Sequence, residues 1–205
     1  MDNDDLRRGK PSTHKKFGES TAVLAGNSLL TLAFEILANK NLKISDNKKI
    51  LLIKYISNCS GHEGVAGGQY SDLKFENKRI SLRKIKDMQF KKTGRLFSFC
   101  CVAPLITVNK NYLINKFNKI GENIGLLFQI SDDLIDYSGN SKIAGKKTRK
   151  DEAKGKATLI SLLGYKNTIK YSKKLKQNIF NELAKYQNRS KNLRETIEFI
   201  LSRTN

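Results

Sequence analysis

The chain has few cysteines, few prolines, few histidines and few acidic residues, and each shortage excludes something. Its three cysteines in 205 residues have no paired spacing. That excludes a disulfide scaffold and a zinc ribbon and leaves a reducing cytoplasm as the expected location. Cys100 and Cys101 are adjacent, Cys59 stands alone, and all three read as small buried apolar residues. His14 and His62 have no second His or Cys at ligand spacing, so a zinc site is not expected. Uninterrupted apolar runs are too short to span a bilayer, and no apolar stretch follows the opening MDNDDLRRGK, so neither a membrane anchor nor a secretory signal is expected. With 39% hydrophobic residues the chain is too apolar to be disordered. Its length suffices for one good-sized core.

Acidic residues number 19 against 39 basic ones, a formal net charge of +20. Residues 140–205 alone hold 17 Lys and Arg against 5 Asp and Glu. Such a balance admits nucleic acid, a membrane surface or an anionic substrate as partner. It equally admits lysine spread over every solvated face. Few aromatics are interleaved with the basic residues and no basic run forms an arm, so nucleic acid is not expected.

Only two prolines are present, and no segment alternates cleanly between polar and apolar residues. Helical periodicity dominates instead. Residues 14–39 place Phe17, Leu24, Leu29, Leu32, Ile36 and Leu37 on one stripe behind the start signal Pro11-Ser12-Thr13. Further helices are expected over about 47–58, from Ser81 to about Leu105, over 109–138, and near 155–164, 166–187 and 191–202. Four glycines, Gly61, Gly64, Gly67 and Gly68, break up a tightly packed segment, and residues 139–154 read as a polar, basic loop. The expected fold is an all-α bundle forming a single domain over 1–205. Arg7-Arg8-Gly9 followed by Pro11 reads as a helix end with no helix before it, or as an orphaned turn.

The strongest chemical signal is Gln129-Ile130-Ser131-Asp132-Asp133-Leu134-Ile135-Asp136. On a helix Asp132 and Asp136 are i,i+4, Asp133 and Asp136 are i,i+3, and Gln129 lies one turn before Asp132. Three carboxylates on one edge repel each other, so a counter-cation is required. An all-oxygen donor set of this kind suits Mg²⁺ with waters and substrate phosphates. The alternative is a solvated acidic edge. Arg7 and Arg8 follow Asp2, Asp4 and Asp5, which reads either as surface ion pairs or as a phosphate clamp. Lys92-Thr93-Gly94 falls in mid-helix, where glycine costs about 1 kcal/mol relative to alanine; a polar break there implies a locally opened backbone facing a ligand. Gly145-Lys146 and Gly155-Lys156-Ala157-Thr158 are basic but are not phosphate loops, since position 150 is lysine and Ala157 stands where Ser or Thr is needed.

Taken in order, these segments resemble the trans-isoprenyl diphosphate synthases, the farnesyl and geranylgeranyl diphosphate synthase group. Asp132-Asp133-Leu134-Ile135-Asp136 with the preceding Phe128-Gln129 is similar to the family's second aspartate-rich motif. Lys92-Thr93-Gly94, Gly68-Gln69-Tyr70-Ser71-Asp72-Leu73, the stretch from Phe17-Gly18-Glu19 to Phe34-Glu35, and the late basic loop also match. Of the first aspartate-rich motif only Asp2 and Arg7-Arg8-Gly9 remain. Asn27, Arg149 and Leu159 stand where the family usually has Asp, Gly and Tyr.

The resemblance implies an isoprenoid-synthase-type helical bundle lacking its first helices, equivalent to the C-terminal two-thirds of such a synthase. It implies a Mg²⁺-dependent condensation of an allylic diphosphate with isopentenyl diphosphate to a farnesyl- or geranylgeranyl-type product, impaired in this isolated chain. Asp132, Asp133 and Asp136 would hold metal, with Asp2 left from the opposite wall. Arg7, Lys92, Lys146 and Lys156 would neutralise the allylic diphosphate, and Arg8 would hold isopentenyl diphosphate. Thr93 and Gln129 would turn oxygens toward the allylic cation, and the 140–156 loop would close as a lid. A homodimer is expected, with a non-catalytic partner subunit of a full-length synthase as the alternative.

Overall fold

The computed structural model describes residues 4–7, 9–138 and 155–203. Apart from a hairpin of two-residue strands, β1 (Leu6–Arg7) and β2 (Lys10–Pro11), its regular elements are helical, as the periodicity requires. The hairpin turns at Gly9, whose φ of 71° suits glycine. Of the two readings of the segment before Pro11, a helix end or an orphaned turn, the described residues show a turn between two short paired strands. Ten α-helices follow among the described residues: α1 (Thr13–Phe17), α2 (Glu19–Ala38), α3 (Asp46–Ser60), α4 (Val65–Phe75), α5 (Leu82–Gln89), α6 (Arg95–Thr107), α7 (Ile114–Ser138), α8 (Leu159–Leu163), α9 (Tyr165–Ala184) and α10 (Lys191–Ser202). A π-helical turn over Phe90–Gly94 joins α5 to α6.

The main core gathers around α7, whose Ile120, Ile124, Leu127 and Ile130 pack with Ile85, Leu159, Ile179, Leu183 and Ile197 from α5, α8, α9 and α10. A smaller cluster of Leu52, Val102 and Ile106 holds α3 to α6. Helix α7 lies so close to α6 and to the π turn that a methyl group on Gly121 would sit 2.5 Å from Ser98 Cα, and one on Gly125 2.5 Å from Gly94 Cα. That approach brings the π turn onto the polar face of α7.

The 14–39 stripe behaves differently from a core helix. It breaks at Gly18 (φ 86°), and α2 buries no residue. Val23, Leu24 and Leu29 remain 62–68% exposed. A stripe this wide would ordinarily be covered by other elements, but among the described residues α2 leans mainly on α1 and α3. By length and composition alone α2 could cross a bilayer, a test that the core helix of a soluble protein also passes. The cysteines divide as well. Cys59 is buried and Cys101 half-buried, its thiol pushed up to about 11 by burial, whereas Cys100 is exposed.

Candidate active site

The polar face of α7 follows helical spacing through Asn118, Glu122, Gln129, Asp132, Asp133 and Asp136. Its lower half is a half-buried network. Tyr55 Oη donates to Asn118 Oδ1 at 2.7 Å, Ser98 Oγ donates to the same oxygen, and Asn118 Nδ2 donates to Glu122 Oε1. Burial pushes the Glu122 carboxyl above the ordinary glutamate range, against the opposing pull of Arg95 and of the Asn118 hydrogen bond. A carboxyl raised by folding binds its proton more tightly in the native state, so stability falls as pH rises through that raised value. Glu122→Gln, which keeps an acceptor for Asn118, is therefore expected to melt higher than the wild type at pH 7 and together with it at pH 4. Thermal melts at the two pH values check this.

The upper half of the face carries the expected site residues. Thr93 Oγ1 donates to Gln129 Oε1 at 3.0 Å, and Gln129 Nε2 donates to Asp133 Oδ1 at 2.9 Å. From α5, Gln89 Nε2 reaches Asp133 Oδ2 at 3.4 Å. The π turn makes the first link: an extra residue per turn opens the backbone, a feature frequent at functional sites. This agrees with the mid-helix break read from Lys92-Thr93-Gly94. Asp133 and Asp136 are buried, while Asp132 is partly accessible. Asp132 has the counter-cation that carboxylate crowding requires: Arg203 Nη2 lies 2.8 Å from its Oδ1.

Lys92 turns to another carboxylate. Its Nζ donates to Asp72 Oδ2 at 2.6 Å, in a pair 21% and 8% exposed. Asp72 comes from α4, which approaches the π turn so closely that a methyl group on Gly68 would meet Lys92 N at 2.1 Å. Lys156 enters on the segment before α8. Asn77 N donates to Gly155 O at 2.8 Å, fastening that segment to the end of α4, and a Thr158–Ser161 capping box starts the helix. Arg7 is exposed on the hairpin strand β1.

Thus Thr93, Gln129 and Asp133 form one connected network, and Lys92 and Asp132 each sit in an ion pair beside it. Asp2, Arg8, Lys146 and the 140–154 part of the expected lid lie outside the described residues. Among the described residues no three His, Cys, Asp or Glu side chains converge closely enough to grip an ion by themselves. One atom does fit a ligand-bearing site: Gln89 Oε1 is buried with no hydrogen-bond partner among the described residues, an acceptor in want of a donor beside Asp133. A water held by a bound metal would meet that need, and the oxygen donors present match the preference of Mg²⁺. Gln89, Arg203 and the role of Asp72 were not read from the sequence. Their partners lie 44, 71 and 20 residues away, beyond any helical spacing.

Comparison with known proteins points the same way. The polyprenyl synthetase family profile matches residues 1–198. The farnesyl diphosphate synthase of Micrococcus luteus is 37% identical over 204 residues, 99% of this chain and 69% of the relative. That of Bacillus subtilis is 38% identical over 165 residues, 80% of this chain and 56% of the relative. The geranyltransferase of Helicobacter pylori, solved in complex with magnesium and isoprenyl diphosphate, superposes with a TM-score of 0.85 at 32% identity. That match covers 98% of this chain and 66% of the solved one. The chain thus spans little more than half to about two thirds of the proteins it resembles.

Proposed function

The chain belongs to the polyprenyl synthetase family, and from that premise we propose that it carries one acidic rim and the cationic turn of a short-chain prenyltransferase site. The reaction joins an allylic diphosphate to isopentenyl diphosphate, giving a farnesyl- or geranylgeranyl-type product. The observation that carries the reading is the Thr93–Gln129–Asp133 network between the π turn and α7, with Gln89 Oε1 unpartnered among the described residues beside it. Mg²⁺, when bound, supplies charge neutralisation for the departing pyrophosphate. Asp132, Asp133 and Asp136 are the residues that would hold it, directly or through water.

The chain's own residues do the rest. Lys92 and Lys156 add positive charge for the allylic diphosphate, with Arg7, Arg8 and Lys146 from the flanking segments. The Asp72 carboxylate orients Lys92, sparing the cost of ordering a long side chain during reaction. Thr93 and Gln129 turn their oxygens toward the developing cation, Gln129 being held by the amide bond it donates to Asp133. Water exclusion strengthens each of these contacts.

These 205 residues alone turn over slowly in this reading, because they supply one acidic rim and only Asp2 of another. A barrier raised by about 2.7 kcal/mol slows turnover about 100-fold. The test is product formation from geranyl diphosphate, isopentenyl diphosphate and Mg²⁺. The chain alone is expected to fall at least about 100-fold below the Micrococcus luteus relative. Fusing that relative's N-terminal third ahead of it restores turnover, and Asp132→Ala in the fusion removes it again. Full turnover by the chain alone refutes the impairment; a fusion indifferent to Asp132→Ala refutes the site.

A second reading rests on the exposed apolar α2. The chain docks by that helix on a second copy, or as a non-catalytic subunit on a full-length synthase. Co-elution with a full-length synthase in size-exclusion chromatography supports the subunit, and elution as a homodimer alone supports self-association.

A further inference from the structure

We infer that Arg203 is a positioning residue for Asp132, setting the direction in which that carboxylate offers its remaining oxygen to a divalent cation. The inference deepens the proposed function and rests on the reading of Asp132 as a metal ligand.

Arg203 follows α10, yet its side chain returns to α7 and is only 10% exposed. Three contacts hold the guanidinium independently of Asp132. Nε donates to Ile200 O at 3.3 Å, Nη2 donates to Phe128 O at 3.0 Å, and the guanidinium carbon lies 3.9 Å over the centre of the Phe128 ring. Beside it, Ser131 Oγ donates to Ile200 O at 2.7 Å and fastens the end of α10 to α7. The cation is therefore fixed in place before it meets the carboxylate. Its fourth contact, Nη2 to Asp132 Oδ1 at 2.8 Å, then pins one carboxylate oxygen.

Three consequences follow from this arrangement. Asp132 Oδ2 has no hydrogen-bond partner among the described residues and keeps its lone pairs for a cation. Asp132 is also more accessible than Asp133 or Asp136, both buried. Finally, a carboxylate already aimed loses less side-chain freedom on binding, which is how hydrogen-bonding partners of metal ligands raise affinity. A mobile guanidinium would compete with the cation for the carboxylate. One held by a carbonyl and an aromatic face stays beside Oδ1 while Oδ2 binds. Lysine cannot reproduce this, since it lacks the planar fork that stacks on Phe128 and reaches two acceptors.

The test is Mn²⁺ binding to the purified 205-residue chain with inorganic pyrophosphate, followed by electron paramagnetic resonance. Arg203→Gln is expected to weaken the Mn²⁺ Kd about 10-fold, the lower end of the range for such supporting partners. Arg203→Lys is expected to fall between Gln and wild type. Ser131→Ala, which loosens the same helix end without touching the ion pair, is expected to leave the Kd within about twofold of wild type. A Kd unchanged or tightened by Arg203→Gln overturns the inference, as does a Lys variant no better than Gln, or an equal loss in Ser131→Ala. No Mn²⁺ binding by the wild type overturns the ligand role of Asp132 and this inference with it. Wild-type binding indifferent to Arg203 overturns this inference alone.

Discussion

Lys92→Met is expected to destabilise the fold by about 3 kcal/mol, reduced from the 3–5 kcal/mol typical of breaking a buried ion pair because Lys92 keeps some solvent contact. Asp72 is the reason. Its carboxylate is nearly enclosed, and its 2.6 Å bond to Lys92 Nζ compensates that charge. Methionine fills the volume of the stem and leaves the charge without its cation. For a chain of this size a loss of about 3 kcal/mol lowers Tm by roughly 6–12 °C. Adding Asp72→Asn to Lys92→Met removes the uncompensated charge and is expected to recover more than half of the loss. Urea unfolding of the two single variants and the double variant measures the coupling. A double variant as unstable as the sum of the singles refutes the pairing. The same pair matters to the proposed reaction, because a lysine already aimed by Asp72 meets a diphosphate without first being ordered.

Gly68→Ala is expected to be at least as damaging. The added methyl group would lie 2.1 Å from Lys92 N and 2.5 Å from Lys92 Cα. Both are backbone atoms of the π turn, so no side chain can swing aside and α4 must move from the site. Overpacking costs about 1–3 kcal/mol where side chains can yield, and a backbone clash belongs at or above that upper end. Gly26→Ala in α2 is the matched control: nothing lies within 4 Å of the added methyl group, and helix propensity favours alanine by about 1 kcal/mol. Thermal melts are expected to move in opposite directions. A Gly68→Ala melt within 2 °C of wild type, about 1 kcal/mol or less, would mean that α4 and the π turn are not packed together.

The two residues also show how unevenly the sequence could be read. Gly94 inside an otherwise helical run announced a backbone irregularity, and a π turn is there because the cost of mid-helix glycine is local. The spacing of Asp132, Asp133 and Asp136 announced a shared edge because helical geometry is local too. Gly68 gave a weaker signal. It reads as one of four glycines in a broken segment, whereas α4 runs through it from Val65 to Phe75, its lack of a side chain serving the approach of another helix. In α2 the stripe of apolar residues was legible, but not that it stays exposed among the described residues. Periodicity states which face is apolar and is silent on what covers it.

Most helix positions, the all-α class, the carboxylate edge and the opened turn were thus determined by the order of the residues alone, since each depends on neighbours within a turn or two; α4 and the break at Gly18 were not. Only the packed chain decided that Lys92 pairs with Asp72, that Asp133 takes amides from Gln89 and Gln129, and that Asp132 receives Arg203. Those choices depend on how closely and at what angle helices meet. That is set by glycine contacts and core packing between segments far apart in sequence, and no periodicity encodes it.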